Sequence, residues 1–180
     1  MFKYVSDISD LSHYIIEKFV TNKNIAIDAT LGNGYDSDFL SEKFSKVYSF
    51  EIQKDPCTKY NENKNHNITV INDSHHKFEE YISENVDCIM YNLGFLPGGN
   101  KEITTVAKTT IDSIKSGLKI LNSGGIMSIA IYIGHDEGME EENEIMKLVS
   151  VLPKDKYGVI QHKYINRSKV APILIVIEKK

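Results

Sequence analysis

Ile25-Ala26-Ile27-Asp28-Ala29-Thr30-Leu31-Gly32-Asn33-Gly34-Tyr35-Asp36 reads as a buried strand that runs straight into a glycine turn and then a helix. Ile25 and Ile27 are β-branched, which suits a strand. Gly32 and Gly34 permit backbone dihedrals and a close approach that a Cβ would block. Asp28 stands at the strand end, where open α/β sheets take their ligands. The combination is a loop for a nucleotide-type cofactor.

The pattern continues on both sides. Ile8, Leu11, Ile15, Phe19 and Val20 recur at helical spacing after the caps Ser6 and Ser9, so a helix is predicted over residues 7–20. Downstream, a helix at 37–44 leads to a strand at 46–51 and a polar helix at 56–63, with Pro56 suited to a first turn. A strand at 68–71, a short helix at 77–83 and a strand at 86–92 follow. A longer helix, 104–121, is predicted to stop at Gly124-Gly125, ahead of a fifth strand at 126–133. The acids that open the helix at 137–152 suit its dipole. The last strands, 159–165 and 173–178, have a short connection and pair antiparallel. The alternation predicts an α/β fold: a seven-stranded, mostly parallel sheet with helices on both faces and a C-terminal antiparallel hairpin. Five strand ends that should line the ligand crevice carry polar groups: Asp28, Glu51, Asp73, Asn92 and the Tyr132–His135 stretch.

A chain of 180 residues suits one domain with a sizeable core, taken here as residues 1–180. No run nears the roughly 18 apolar residues of a membrane span, and the N-terminus lacks the apolar stretch of a signal peptide. Cys57 and Cys88 lie 31 positions apart without CxxC spacing, which fits a reduced, cytoplasmic chain and no zinc site. His75 and His76 lack a partner cluster, so no metal is expected. The net charge of −4 and pI near 5.9 argue against broad binding along a nucleic-acid backbone. They leave room for local basic patches at Lys163, Arg167 and Lys169 and at Lys101 and Lys108, which otherwise read as solvated faces.

The glycine loop does not choose the cofactor alone. A nicotinamide fingerprint is GxGxxG with an acid about 20 residues on. Here the third glycine is replaced by Ser37, and Glu51, 19 positions after Gly32, suits a ribose diol of either a dinucleotide or S-adenosylmethionine. Two later stretches tip the balance. Asn72-Asp73-Ser74-His75 ends strand three, where an acid can meet an adenine amino group. Asn92-Leu93-Gly94-Phe95-Leu96-Pro97-Gly98-Gly99 ends strand four and resembles the Asn-Pro-Pro-Tyr-type motif of amine-directed methyltransferases. A side-chain and a backbone carbonyl there accept hydrogen bonds from a target N–H and hold it in line for transfer.

Asp28-Ala29-Thr30-x-Gly32-Asn33-Gly34, Asp73-Ser74-His75, Asn92-Leu93-Gly94-x-Leu96-Pro97-Gly98-Gly99, Gly134-His135-x-x-Gly138 and Asn166…Pro172 together resemble the bacterial family labelled "putative rRNA methylase" (YtqB/MnmM-like), over nearly the whole chain. The resemblance implies a class I methyltransferase with a Rossmann-like fold that uses S-adenosyl-L-methionine. It also implies methylation of the 5-aminomethyl group of tRNA wobble uridine, with rRNA as the alternative substrate.

Each candidate residue has a bland reading beside the functional one. Asp28, Thr30, Gly32, Asn33, Gly34 and Asp36 are expected around the methionyl part, or as an ordinary strand–helix turn. Glu51, Ile52 and Gln53 are expected at the ribose and adenine, or as a solvated strand end. Asp73, Ser74 and His75 are expected at the adenine, or as a polar turn. Asn92 and the Leu93 backbone are expected at the target nitrogen, against a capped loop. His135, His75 and Asp73 are the candidates to take its proton. Phe95, Pro97, Gly98, Tyr132, Asn166 and Arg167 are expected to meet RNA, with Phe95 stacking on a base, or else to pack and turn. Within the family resemblance Glu141 is expected near the cofactor pocket, or else as part of a solvated helix start. Without an appended RNA-binding domain, a splayed base such as one in a tRNA anticodon loop fits better than a long duplex. A homodimer would widen the RNA groove. A small-molecule or protein amine methyltransferase, a nicotinamide reductase and a silent cofactor-binding module are the competing classes.

Overall fold

The computed structural model describes Phe2, residues 4–96, Gly98 and residues 103–180. The expectations for Pro97, Gly99 and Lys101 fall outside the described residues. The element order is α1 (Ile8–Phe19), β1 (Ile25–Asp28), α2 (Tyr35–Lys43), β2 (Lys46–Phe50), α3 (Lys54–Asn61) and β3 (Ile68–Ile71). A 3-10 turn (His75–Lys77) then leads to α4 (Phe78–Tyr81), β4 (Val86–Leu93), α5 (Ala107–Ile120), β5 (Leu121–Ile131), α6 (Asp136–Ser150), β6 (Tyr157–Lys163) and β7 (Ile173–Lys179).

The seven strands form one sheet in the order β3-β2-β1-β4-β5-β7-β6. The first five are parallel; β7 runs antiparallel to both β5 and β6. The central strands β1 and β4 are near-continuous apolar runs because helices cover both of their faces. One core layer gathers Ile27, Phe50, Ile89, Tyr91, Ile114 and Ile145; the opposite layer gathers Ile16, Leu40, Phe44, Val47 and Met90. In this topology the strand order reverses at β1 and β4, which opens a crevice above Asp28 and Asn92.

Three local readings are corrected. The cap of α1 is Asp7, whose carboxylate accepts from the Ser9 N–H, not Ser6 or Ser9. The 77–83 helix is shorter, and the 3-10 turn starting at His75 precedes it. Gly124-Gly125 does not end α5, which already stops at Ile120. Leu121 pairs with Val86 and Ile126 with Cys88, so the two glycines sit inside β5 at a register shift, with Gly124 at φ +77°. The extra residues bulge out of the ladder, a distortion that glycine tolerates best.

Candidate active site

The first turn after β1 is built around Asp28, which is fully buried. Its two oxygens accept from the Thr30 N–H at 3.0 Å and the Ser37 hydroxyl at 2.6 Å, and Ser37 in turn lies 2.7 Å from the Ser49 hydroxyl. Burial, aided by the nearby Asp36 carboxylate, raises the Asp28 carboxyl to about 7 despite those two donors. Gly34 is the N-cap of α2 at φ +89°, and a Cβ there would clash with the edge of the Tyr60 ring, 2.2 Å from Cε2. That ring is held by its hydroxyl, which donates to Asp38 at 2.7 Å. Asn33 is exposed at the crest of the loop, and Gly32, at φ +51°, backs onto Leu96.

Glu51 closes the loop from β2. It accepts from the Gly32 N–H at 3.2 Å and from the Gln53 N–H at 2.8 Å, and remains partly exposed. Two bonds leave acceptor sites on the carboxylate unused, as a ribose diol requires. Ile52 is exposed beside it and Gln53 caps α3. The glycine cradle and the half-used carboxylate fit a nucleoside cofactor, and Asp28, buried with both oxygens engaged, shapes the loop from beneath.

The residues after β3 behave differently. Asp73 accepts from Lys77 at 2.9 Å, Tyr81 at 2.8 Å and the Ser74 N–H at 2.7 Å. Lys77 foremost holds its carboxyl down at about 2. Ser74 meets His76 at 2.8 Å. The His75 ring is buried edge-on to Tyr91, its Nδ1 is unpaired among the described residues, and burial pulls it down to about 4.

Asn92, half-buried, ends β4 beside β1. Its N–H donates to Thr30 Oγ1 at 2.7 Å, and its Nδ2 reaches Ser9 Oγ and Asp36 Oδ2, each at 3.4 Å. Asp36 thus turns toward Asn92 and, through its other oxygen, toward His13 at 2.7 Å. The Leu93 side chain is in the core and its backbone pairs with Ile131. Tyr132 is 38% exposed on the same rim; the partial burial of its ring, then the Asp7 and Asp36 carboxylates, push its phenol up.

The loop after β4 is tied down from α6. Gly94 N–H donates to Thr105 Oγ1 at 2.9 Å, which donates to Glu141 at 2.8 Å; Thr110 donates to the other Glu141 oxygen at 2.6 Å. Glu141 is fully buried, and burial raises its carboxyl. His135 lies 3.2 Å from Thr104 Oγ1 and edge-on to Phe95 at 5.7 Å. Gly98 is exposed at φ +81°. Asn166 lines a separate groove of about 430 Å³ between the α1 N-terminus and the terminal hairpin, and Arg167 covers the Phe2 and Tyr164 rings.

The structure therefore brings Asp28, Thr30, Asp36, Glu51 and Asn92 into one crevice and sets Asn166 and Arg167 apart. Sequence reasoning missed Ser9, His13, Tyr60 and Thr105. Ser9 and His13 carried a signal: one turn apart, they share a helix face. Among the described residues no cluster suits a metal ion, no helix is long and apolar enough to cross a membrane, and both cysteines are free and buried.

Comparison with known proteins agrees with this geometry. Residues 47–178 match the family described as "Putative rRNA methylase". An Arabidopsis thaliana protein named tRNA (mnm(5)s(2)U34)-methyltransferase, chloroplastic, is 30% identical over 96% of this chain and 69% of its own length. A "putative rRNA-methylase" of Clostridium thermocellum superposes with a TM-score of 0.91 at 33% identity, over 98% of this chain and 99% of that one. A Streptococcus mutans "putative methyltransferase", solved in complex with S-adenosylhomocysteine, gives 0.88 at 31% identity over the same shares. The chain belongs to this rRNA-methylase family and is a methyltransferase of the class I fold that uses S-adenosylmethionine.

Proposed function

We propose that this chain N-methylates the 5-aminomethyl group of a tRNA wobble uridine. The observation that carries the reading is Asn92. Its amide carbonyl takes no hydrogen bond from any described residue, at the strand end beside the cofactor loop. The likeness, over 96% of this chain, to a protein named for mnm(5)s(2)U34 supports the substrate.

S-adenosylmethionine supplies, when bound, an electrophilic methyl group whose sulfonium leaves as a thioether. Glu51 holds the ribose hydroxyls and Gln53, with Ile52, borders the adenine. Asp28, Thr30, Gly32, Asn33 and Gly34 shape the methionyl cradle. Asn92 Oδ1, with the Leu93 backbone behind it, accepts an N–H of the amine and aims the nitrogen lone pair. The amine reacts neutral, and its proton passes to solvent at the open rim. Asp73 is engaged by Lys77 and Tyr81, and His75 is buried, so neither is assigned that task. Tyr132, Phe95 and His135 line the approach for a splayed base, and Asn166 and Arg167 contact the rest of the anticodon loop. The protein works in the cytoplasm as a homodimer.

The test is methyl transfer to tRNA carrying the 5-aminomethyl group, with unmodified tRNA and rRNA as controls. Asn92→Ala should keep S-adenosylmethionine affinity and lose turnover by on the order of a hundredfold, as lost positioning does. Equal turnover by the two proteins removes Asn92 from the mechanism. Activity on rRNA alone overturns the substrate.

A further inference from the structure

Asn92 is held on one side and open on the other. Its Nδ2 is 3.4 Å from Ser9 Oγ and 3.4 Å from Asp36 Oδ2, while no described residue donates to its Oδ1. The two ends of an amide have nearly the same shape, so its partners decide which end faces the reacting space. Ser9 gives no preference, because a hydroxyl both donates and accepts. An ionised carboxylate only accepts. Beside Asp36 the amide therefore presents its NH2, and the carbonyl turns away toward the rim.

Asp36 is itself fixed. It is 5% exposed, and its other oxygen lies 2.7 Å from His13 Nε2. The His13 ring stacks on Phe39, with centroids 3.9 Å apart and planes 6° from parallel. A carboxylate partner places the hydrogen on Nε2. The chain from Phe39 through His13 and Asp36 to Asn92 links α1, α2 and β4, none of which could hold the amide alone.

We propose that the His13–Asp36 pair sets the orientation of the Asn92 amide and thereby selects a methyl acceptor that carries an N–H. This rests on the role given to Asn92 above. His13 and Asp36 are positioning residues, and no bond is made or broken at either. A ring nitrogen without hydrogen would set lone pair against lone pair at Asn92 Oδ1, so such acceptors are refused.

Asp36→Asn tests the idea with little change of shape. Residue 36 can then either donate or accept, and the Asn92 amide is free to turn over. The expected result is a fall in kcat of about tenfold or more, with KM for the aminomethyl tRNA and calorimetric affinity for S-adenosylmethionine little changed. The double variant Asp36→Asn with Asn92→Asp restores the donor–acceptor order in reverse, so it should recover several-fold of the lost rate. His13→Gln keeps a donor to Asp36 and should outperform His13→Ala. Wild-type kcat in Asp36→Asn, or a double variant no better than Asp36→Asn alone, overturns the proposal. A readout that needs no substrate separates it from the substrate assignment. In isotope-labelled protein, the side-chain NH2 resonances of Asn92 should move and broaden in Asp36→Asn, while a thermal melt reports that the variant folds. Unmoved resonances overturn the proposal even if the tRNA is methylated. Moved resonances uphold the orientation even if the acceptor is a different nitrogen.

Discussion

At Glu51 the carboxylate spends two hydrogen bonds on its own loop and keeps the rest for a ligand. Glu51→Ala should therefore weaken S-adenosylmethionine binding by about 1–3 kcal/mol, the cost of hydrogen bonds to a charged acceptor, measured by calorimetry. Unchanged affinity would separate Glu51 from the ribose. Asp28 makes a prediction about pH. Its folded value of about 7 lies above the ordinary carboxylate value, so the folded chain holds a proton that the unfolded chain releases. Stability from this group is complete at low pH and falls as pH rises from about 4 to about 7. Asp28→Asn keeps an acceptor for the Thr30 N–H and removes the titration. Chemical denaturation should show the variant gaining on the wild type between about pH 4 and about pH 7. A constant difference across that window would place the proton elsewhere.

At the scale of elements, α5 and α6 hold the loop after β4 through Glu141, Thr110 and Thr105. Thr105→Val removes both the hydroxyl that Gly94 needs and a donor to a fully buried carboxylate. Denaturation midpoints should drop by an amount equivalent to about 1–3 kcal/mol, because a buried partner is left unsatisfied. Hydrogen exchange at Gly94 should accelerate; a protected Gly94 amide would mean that Thr105 does not pin the loop. The turn from β1 to α2 is equally tight. Gly34→Ala must adopt an unfavourable positive φ and drive a methyl into the Tyr60 ring, so both stability and cofactor binding should suffer. The glycine spacing announced this turn, but the ring it packs against comes from α3, 26 positions later, which no spacing rule connects.

Across the whole molecule, the C-terminal hairpin adds β7 and β6 beyond β5, and its Tyr164 and Arg167 form an aromatic and basic rim with Phe2 of the N-terminal segment. The proposed homodimer should give a light-scattering mass near twice 20.4 kDa, and a mass near 20.4 kDa at micromolar concentration rejects it. The alternation of apolar runs with amphipathic stretches was enough to read the sheet, its parallel body and its antiparallel edge. Burial on one or two faces is written into every strand and helix. Strand ends that carry Asp28, Glu51 and Asn92 were legible for the same reason, because a polar residue that closes an apolar run needs a partner. The bulge at Gly124-Gly125 was not legible, since glycines after a helix look the same whether they end it or distort the next strand. Nor were Ser9 and His13, which look like ordinary polar positions on an amphipathic helix. They meet Asp36 and Asn92 only because α1 packs across β5 and α2, which carries residues 83 positions apart into contact. The sequence by itself determined the fold and the polar strand ends that close its apolar runs. Tertiary packing decided which way each of them faces, because side-chain orientation is set by neighbours distant in the chain.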